Sequence, residues 1–217
     1  MLMKFLVLSD LHGKTSELEW INPLIVKEDV DYVLFLGDAV EMPCSAQESA
    51  DMISKIDSEK ILAIPGNIDS PDLVGLLDDV AENMHGKGKQ IGDLYIAGLG
   101  GSNPTIFDTP FELQEDDIFA KLDPISKEGM VLMVHAPAYG FNDVIPSGIS
   151  VGSKGVLDIV KKYHPKLVLS GHIHESFGRK EADGTVFINP GAVKDGRCAI
   201  VSIDGDEVEA KLFGPSE

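Results

Sequence analysis

Seven side chains of types that commonly ligate metal ions follow short apolar runs in this sequence. They are Asp10, His12, Asp38, Asn67, His135, His172 and His174, and they include four of the six histidines of the protein. Imidazole nitrogen combined with carboxylate and amide oxygen, and without sulfur, suits Mn, Fe, Co, Ni or Zn better than Ca or Mg. Seven donors are too many for one tetrahedral ion, so the set predicts two divalent transition-metal ions.

A carboxylate shared between two such ions would fix their separation. Its two oxygens can bridge cations about 3.5–4 Å apart, which is the usual spacing for two-metal phosphoryl hydrolysis. We therefore expect either Asp10 or Asp38 to bridge. The sequence holds only two arginines, Arg179 and Arg197, so it offers no cluster of guanidinium groups to bind a phosphate. Neutralising the charge of a phosphate would then fall to the metals.

The elements that position these side chains are predicted from five runs rich in Val, Ile and Leu, at residues 5–8, 33–36, 61–64, 131–134 and 167–169. Their length and their flanking glycine or proline are typical of buried strands. Helix-start signals lie between the earlier runs: Ser16 with Glu19 and Ser45 with Glu48 fit the capping box, and Pro71 suits a first helical position. Because carboxyl ends of neighbouring strands meet at one crevice, side chains far apart in sequence are expected to converge there.

The pattern changes toward the C-terminus. Strand-like pieces around residues 185–188, 198–203 and 208–212 are separated by Asp-Gly pairs at 183–184 and 204–205, which predicts antiparallel hairpins. Residues 98–110 are rich in turn formers and lack periodicity, so they predict a long surface loop and a candidate cover for a site. In the absence of a repeat or a polar linker, residues 1–217 are expected to form a single domain.

Composition limits the class of protein. A chain of 217 residues with 43% hydrophobic and 25% charged residues can bury a sizeable core. Its net charge of −18 disfavours nucleic-acid backbones and anionic membranes as partners. The apolar stretch at residues 5–8 is too short for a signal sequence or a membrane span, and Cys44 and Cys198 fit neither a thiolate metal site nor a disulfide framework. We expect a soluble cytoplasmic protein that acts on a small molecule, with homo-oligomerisation left open.

Five motifs occur in a fixed order between residues 9 and 174: Asp10-Leu11-His12, Gly37-Asp38, Gly66-Asn67-Ile68-Asp69, His135 and Gly171-His172-Ile173-His174. Together they resemble the calcineurin-like metallophosphoesterase superfamily. The resemblance implies an α/β fold, a four-layer α/β/β/α sandwich with two mixed β-sheets flanked by helices.

The resemblance also implies roles for the seven side chains. Asp10, His12, Asp38 and His174 would hold one metal, and Asp38, Asn67, His135 and His172 would hold the other, with Asp38 as the bridge. The implied activity is hydrolysis of a small phosphodiester, or of a phosphomonoester, by a hydroxide that the two metals share. Asp38, Asn67 and His135 are the expected catalytic residues, and Mn is the expected metal, with Fe, Ni, Co or Zn as alternatives.

The sequence departs from the family pattern at Ile68. Many members of the superfamily have a histidine there that resembles a general acid for the leaving alcohol, and an isoleucine cannot donate a proton. General acid catalysis typically contributes about 10² to 10⁴ in rate. The substitution favours a phosphodiester or an activated leaving group as substrate. It also leaves Asp69 without the histidine that it would orient.

Four alternatives remain open at this point, two for the whole protein and two for single residues. The fold could serve as a non-catalytic protein-interaction scaffold with a vestigial metal site, which the missing acid at Ile68 suggests and the intact ligand set opposes. A nuclease of the same superfamily is disfavoured by the net charge of −18. At individual positions, Asn67 could cap the turn before Pro71, and His135 could be a core histidine.

Overall fold

The computed structural model describes residues 2–215 and forms its core from strands. In chain order the strands are β1 (Met3–Leu8), β2 (Tyr32–Phe35), β3 (Ile61–Ala63), β4 (Glu82–Asn83), β5 (Lys87–Ile91), β6 (Leu94–Leu99), β7 (Val131–Val134), β8 (Leu167–Leu169), β9 (Gly178–Ala182), β10 (Thr185–Asn189), β11 (Cys198–Asp204) and β12 (Glu207–Phe213). The α-helices are α1 (Leu18–Lys27), α2 (Ala46–Ile53), α3 (Leu77–Val80), α4 (Glu115–Leu122) and α5 (Lys154–Tyr163). Short 3-10 turns cover Thr15–Glu17, Pro71–Gly75, Asp123–Ile125, His174–Ser176 and Val193–Asp195.

The strands form two mixed sheets of six strands each. The order in the first sheet is β12-β11-β1-β2-β3-β4, and the order in the second sheet is β5-β6-β7-β8-β10-β9. Parallel pairing joins β1 through β4 in the first sheet and β6, β7, β8 and β10 in the second. Antiparallel strands extend both sheets at their edges.

Successive side chains of a strand point to opposite faces of its sheet, and this explains why the layers stack. In β1, Phe5 and Val7 pack between the two sheets, whereas Leu6 and Leu8 pack with α1 and α2. In β7, Val131 and Met133 face the first sheet, and the intervening side chains of the strand pack against α4 and α5. Because each central strand is apolar on both faces, helices cover both outer surfaces. The expected four-layer α/β/β/α sandwich is therefore confirmed.

Most sequence-based element predictions are confirmed. The five apolar runs lie in β1, β2, β3, β7 and β8, and the two Asp-Gly pairs join the antiparallel hairpins β9–β10 and β11–β12. Ser45 and Glu48 form a reciprocal capping box at the start of α2. The helix start at Ser16 is wrong, because Ser16 lies in a 3-10 turn and α1 begins after Glu17. The Glu17 carboxylate accepts a hydrogen bond from Trp20 Nε1 at 2.8 Å.

The long loop begins and ends later than the sequence indicated, since residues 98 and 99 continue β6 and α4 begins only at Glu115. Residues 100–114, the β6–α4 loop, contain neither helix nor strand. Backbone hydrogen bonds hold this loop against the end of β3: Gly101 N–H donates to Pro65 O at 3.0 Å, and Phe111 N–H donates to Asn67 O at 3.0 Å. Within residues 2–215, no helix combines the length and the apolar character that a membrane crossing requires.

Candidate metal centre

All seven candidate ligands follow the carboxyl ends of parallel strands. Asp10 and His12 follow β1, Asp38 follows β2, Asn67 follows β3, His135 follows β7, and His172 and His174 follow β8. The first three of these strands belong to one sheet and the last two to the other. The candidate centre therefore lies where the two sheets meet at a common edge.

The backbone at four of these ligands is left-handed. The φ angles of Asp10, His12, Asp38 and His172 are 56°, 47°, 59° and 66°. Such conformations cost on the order of 1–3 kcal/mol each for residues other than glycine and concentrate at functional sites. Hydrogen bonds between the loops hold them, since Asp10 N–H donates to Gly37 O at 2.9 Å and His12 N–H donates to Asp38 O at 3.1 Å.

Two glycines allow the ligand loops to approach each other closely. A Cβ atom at Gly66 would lie 1.9 Å from Asp38 Oδ1, and a Cβ atom at Gly171 would lie 2.6 Å from Asp10 Oδ2. Both distances are far below van der Waals contact, so any other residue at these positions would displace a candidate ligand.

The first group of ligands consists of Asp10, His12 and His174. Their ligand atoms all lie within 4.8 Å of one another. His174 Nε2 is 3.0 Å and His12 Nε2 is 3.8 Å from Asp10 Oδ1. His12 is only 9% exposed, and neither nitrogen of its ring makes a hydrogen bond within residues 2–215, although Nδ1 lies 3.3 Å from Glu41 Oε1. A buried imidazole without a hydrogen bond is costly unless a ligand satisfies it, so this group fits a cation.

The second group consists of Asp38, His135 and His172, whose ligand atoms also lie within 4.8 Å of one another. His135 Nε2 is 3.3 Å from Asp38 Oδ2 and 2.9 Å from Asn67 Oδ1. His135 Nδ1 lies 2.8 Å from Leu36 O, which can only accept. The proton on Nδ1 is therefore fixed, and Nε2 remains for the centre.

Asp38 lies between the two groups. Its Oδ2 atom is 4.0 Å from His12 Nε2 in the first group and 3.3 Å from His135 Nε2 in the second. Its Oδ1 atom accepts a hydrogen bond from Ile68 N–H at 3.1 Å. One carboxylate oxygen is thus anchored by the backbone and the other faces both groups.

The electrostatics of the centre favour cations. Burial alone would raise the pKa of the Asp10 carboxyl, but the neighbouring imidazoles of His12 and His174 hold that pKa well below its usual value. Burial would lower the pKa of His135, yet the Asp38 carboxylate outweighs it and raises the pKa to about 9. Burial, followed by the charge of His135, lowers the pKa of His172 to about 4, so that ring is neutral. In this arrangement protonated imidazole offsets the buried carboxylates.

Asp69 acts as a structural anchor of the centre. It is fully buried and accepts four hydrogen bonds: from the backbone N–H of Asp38 (2.8 Å), Gly66 (2.8 Å) and Ala39 (3.2 Å) and from Ser49 Oγ (2.8 Å). Sequence reasoning left Asp69 without a partner because Ile68 replaces the family histidine. The structure shows that Asp69 instead joins the loops after β2 and β3.

Two side chains near the centre escaped the sequence analysis. Thr109 Oγ1 accepts a hydrogen bond from Asn67 Nδ2 at 3.0 Å, and Glu112 accepts one from Thr109 Oγ1 at 2.7 Å. No local pattern marks either residue, because the contact joins positions 42 residues apart. His85 lies beside the β6–α4 loop and is half-buried. Its Nδ1 accepts from Gly100 N–H at 3.1 Å.

The chain is similar in sequence to known proteins. A family model described as calcineurin-like phosphoesterase matches residues 3–176. An uncharacterised protein of Methanocaldococcus jannaschii is 30% identical over 197 residues, covering 87% of this chain and 88% of that protein.

Solved structures share the fold at low sequence identity. A dimetal phosphatase from Danio rerio superimposes with a TM-score of 0.66 at 13% identity, covering 98% of this chain and 96% of that one. An archaeal phosphodiesterase superimposes with a TM-score of 0.56 at 18% identity, covering 97% of this chain and 100% of that one.

Proposed function

Because the chain belongs to the calcineurin-like phosphoesterase family, whose members depend on two metal ions, we propose that it hydrolyses a small phosphodiester at the candidate metal centre. The observation that carries the proposal is Asp38 Oδ2, which faces imidazoles of both ligand groups. A site for a single ion would not need a carboxylate in that position. Asp38, Asn67 and His135 are the proposed catalytic residues.

Each ion has its own set of ligands in this proposal. Asp10, His12 and His174 would hold the first ion, Asn67, His135 and His172 would hold the second, and Asp38 would contribute to both. When bound, two divalent cations supply Lewis acidity, since they lower the pKa of water and offset the charge that develops on phosphoryl oxygens. The His12 ring, which is buried without a hydrogen bond, and the His135 ring, whose Nδ1 faces the Leu36 carbonyl so that Nε2 faces the centre, support this assignment.

The two arginines do not supply a separate phosphate clamp. Arg197 Nη1 donates to His174 O at 3.2 Å and its guanidinium lies over the Phe177 ring, while Arg179 pairs with Glu181 at 2.8 Å. Arg197 thus supports the loop that carries a ligand. Charge compensation at the substrate rests on the cations, as the arginine count indicated.

The preference for a diester follows from Ile68. Its side chain offers no proton, and its backbone N–H is occupied by Asp38 Oδ1. The leaving oxygen therefore receives no proton from this position, which disadvantages alkyl monoesters most. The nitrogen and oxygen donor set favours a transition metal, and we propose Mn²⁺, with Fe, Co, Ni and Zn as competitors.

The test compares bis(p-nitrophenyl) phosphate with p-nitrophenyl phosphate, each with Mn²⁺, with the four competing metals, and after chelation. We expect metal-dependent turnover that is faster on the diester. Asp38→Asn should abolish it and reduce the bound metal, whereas Asp116→Asn, on the exposed face of α4, is the matched control that should change neither. Turnover that survives chelation, or absent turnover with every metal, would refute the proposal.

A further inference from the structure

The side-chain amide of Asn67 has a defined orientation. Its Nδ2 donates to Thr109 Oγ1 at 3.0 Å, and its Oδ1 lies 2.9 Å from His135 Nε2, on the side of the second ligand group. Only the oxygen of an amide can ligate a cation, and a reversed amide would present N–H groups to it instead. The function of Asn67 in the proposed centre therefore depends on what prevents this reversal.

Thr109 can accept from Asn67 because its own proton is committed elsewhere. Glu112 Oε1 lies 2.7 Å from Thr109 Oγ1, and a carboxylate accepts hydrogen bonds without donating any. Burial would raise the pKa of Glu112, but hydrogen bonds from Thr105 and Thr109 outweigh it and lower the pKa to about 2, so the group is ionised. The single proton of the Thr109 hydroxyl therefore points to Glu112, and its lone pair points to Asn67.

We propose that Thr109, oriented by Glu112, is a positioning residue that directs the oxygen of Asn67 toward the second metal ion. This inference rests on the proposed function. The β6–α4 loop, which follows a strand of the second sheet, thereby holds a ligand that follows a strand of the first sheet. Phe111 N–H strengthens the attachment by donating to Asn67 O at 3.0 Å. Because the Glu112 charge lies at the end of this chain, it also polarises the amide toward its oxygen.

The same loop provides a matched control. Thr105 Oγ1 donates to the same Glu112 oxygen at 2.6 Å, yet among residues 2–215 no hydrogen bond joins it to Asn67. Thr105→Val and Thr109→Val each remove one hydroxyl hydrogen bond to Glu112 and should destabilise the loop to a similar extent. Only Thr109→Val also releases the Asn67 amide.

The experiment is calorimetric titration of the metal-free protein with Mn²⁺, with thermal melts to confirm folding. We expect two ions in the wild type. Groups that orient metal ligands typically contribute about 10- to 100-fold in affinity, so Thr109→Val should lower the affinity for one of the two ions by that factor. Thr109→Ser keeps the hydroxyl, and Thr105→Val leaves the contact with Asn67 in place. Both variants should therefore bind each ion with an affinity within about twofold of the wild type.

Two results would overturn the positioning role while leaving the proposed function intact: unchanged binding of both ions to Thr109→Val, or equal weakening by Thr105→Val. If Thr109→Val does not fold, Glu112→Gln serves as the second variant, because it replaces the obligatory acceptor with an amide that can also donate. It should lower the affinity for the same ion. Unchanged affinity in that variant would overturn the inference. A wild type that binds one ion or none would instead refute the two-metal proposal itself.

Discussion

Removing the acceptors of Asp69 is expected to destabilise the protein in proportion to the hydrogen bonds lost. Asp69 is 0% exposed and satisfies three backbone N–H groups and the Ser49 hydroxyl. In Asp69→Ala all four donors lose their acceptor, at about 1 kcal/mol each, so the total is about 4 kcal/mol. Burial and the nearby Asp38 charge raise the pKa of Asp69, which means that relief of this repulsion offsets part of the loss.

Asp69→Asn should be milder because its geometry permits a partial rescue. The remaining oxygen can keep the donors of Asp38 and Gly66, which both bind Oδ2, while the new NH₂ group replaces Oδ1. The Ser49 hydroxyl can reverse and accept from that group, but Ala39 N–H then faces another donor. The hydrogen bond from Ala39 is lost, and those from Asp38 and Gly66 are weakened because they now end on a neutral oxygen. Together these changes should lower the free energy of unfolding by about 2 kcal/mol.

Thermal melts of the metal-free variants provide the assay. At about 2–4 °C per kcal/mol for a chain of this size, Tm should fall by about 4–8 °C in Asp69→Asn and by about 8–16 °C in Asp69→Ala. The exposed Asp72→Asn is the control, expected within about 1 °C of the wild type because surface changes rarely exceed 0.5 kcal/mol. If alanine proves no worse than asparagine, or if both variants melt with the wild type, the four hydrogen bonds do not anchor the loops.

The remaining predictions concern catalysis, metal binding and pH. Ile68→His should raise monoesterase relative to diesterase turnover, measured as the ratio of kcat/KM on an alkyl phosphomonoester to that on bis(p-nitrophenyl) phosphate, because an alkoxide leaving group needs a proton donor and a nitrophenolate does not; an unchanged ratio would contradict this. Asp38→Asn should impair both metal sites and His174→Ala mainly one, as metal analysis of the purified variants would show. At 100 times Kd, one bound ion should stabilise the fold by about 2.7 kcal/mol and raise Tm by about 5–11 °C, and equal melting with and without metal would count against a folded-state site. Since the Glu112 pKa of about 2 lies below its usual value of 4.5, its stabilisation is present above pH 4.5 and disappears as pH falls through 2; the Tm difference between wild type and Glu112→Gln should therefore shrink on acidification.

The sequence predicted the parts of the centre that depend on local pattern. Apolar runs identify β1 and β7, and polar residues directly after them, such as Asp10 and His135, stand out because buried strands seldom end in several metal-ligand types. The Ser45 capping box was equally visible because both partners lie within one turn. Such features depend on neighbours in the chain, so spacing alone indicates them.

The contacts that orient the centre could not be predicted in this way. Thr109 lies in a loop without periodicity, and its partner Asn67 is 42 residues away. Ser49 lies on a helix whose pattern indicates only burial, yet it donates to Asp69 20 residues further on. The contact of Thr109 arises only when two sheets bring their loops to one edge, and that of Ser49 only when α2 packs beside the loop after β3. A single sequence carries no record of either pairing.

The charge balance of the buried centre supports cations without reference to any motif. Asp10 and Asp38 are 1% and 3% exposed in a chain of net charge −18, so their ionised forms need nearby positive charge. Protonated His135 supplies some of it, and although burial opposes the shift, the pKa of both His135 and His174 is raised above its usual value. A metal ion brings more charge than a proton and requires the imidazole nitrogen to be free, so binding must release protons. The groups that hold these protons are therefore the groups best placed to bind the metals, and proton release on titration with Mn²⁺ would be the direct consequence.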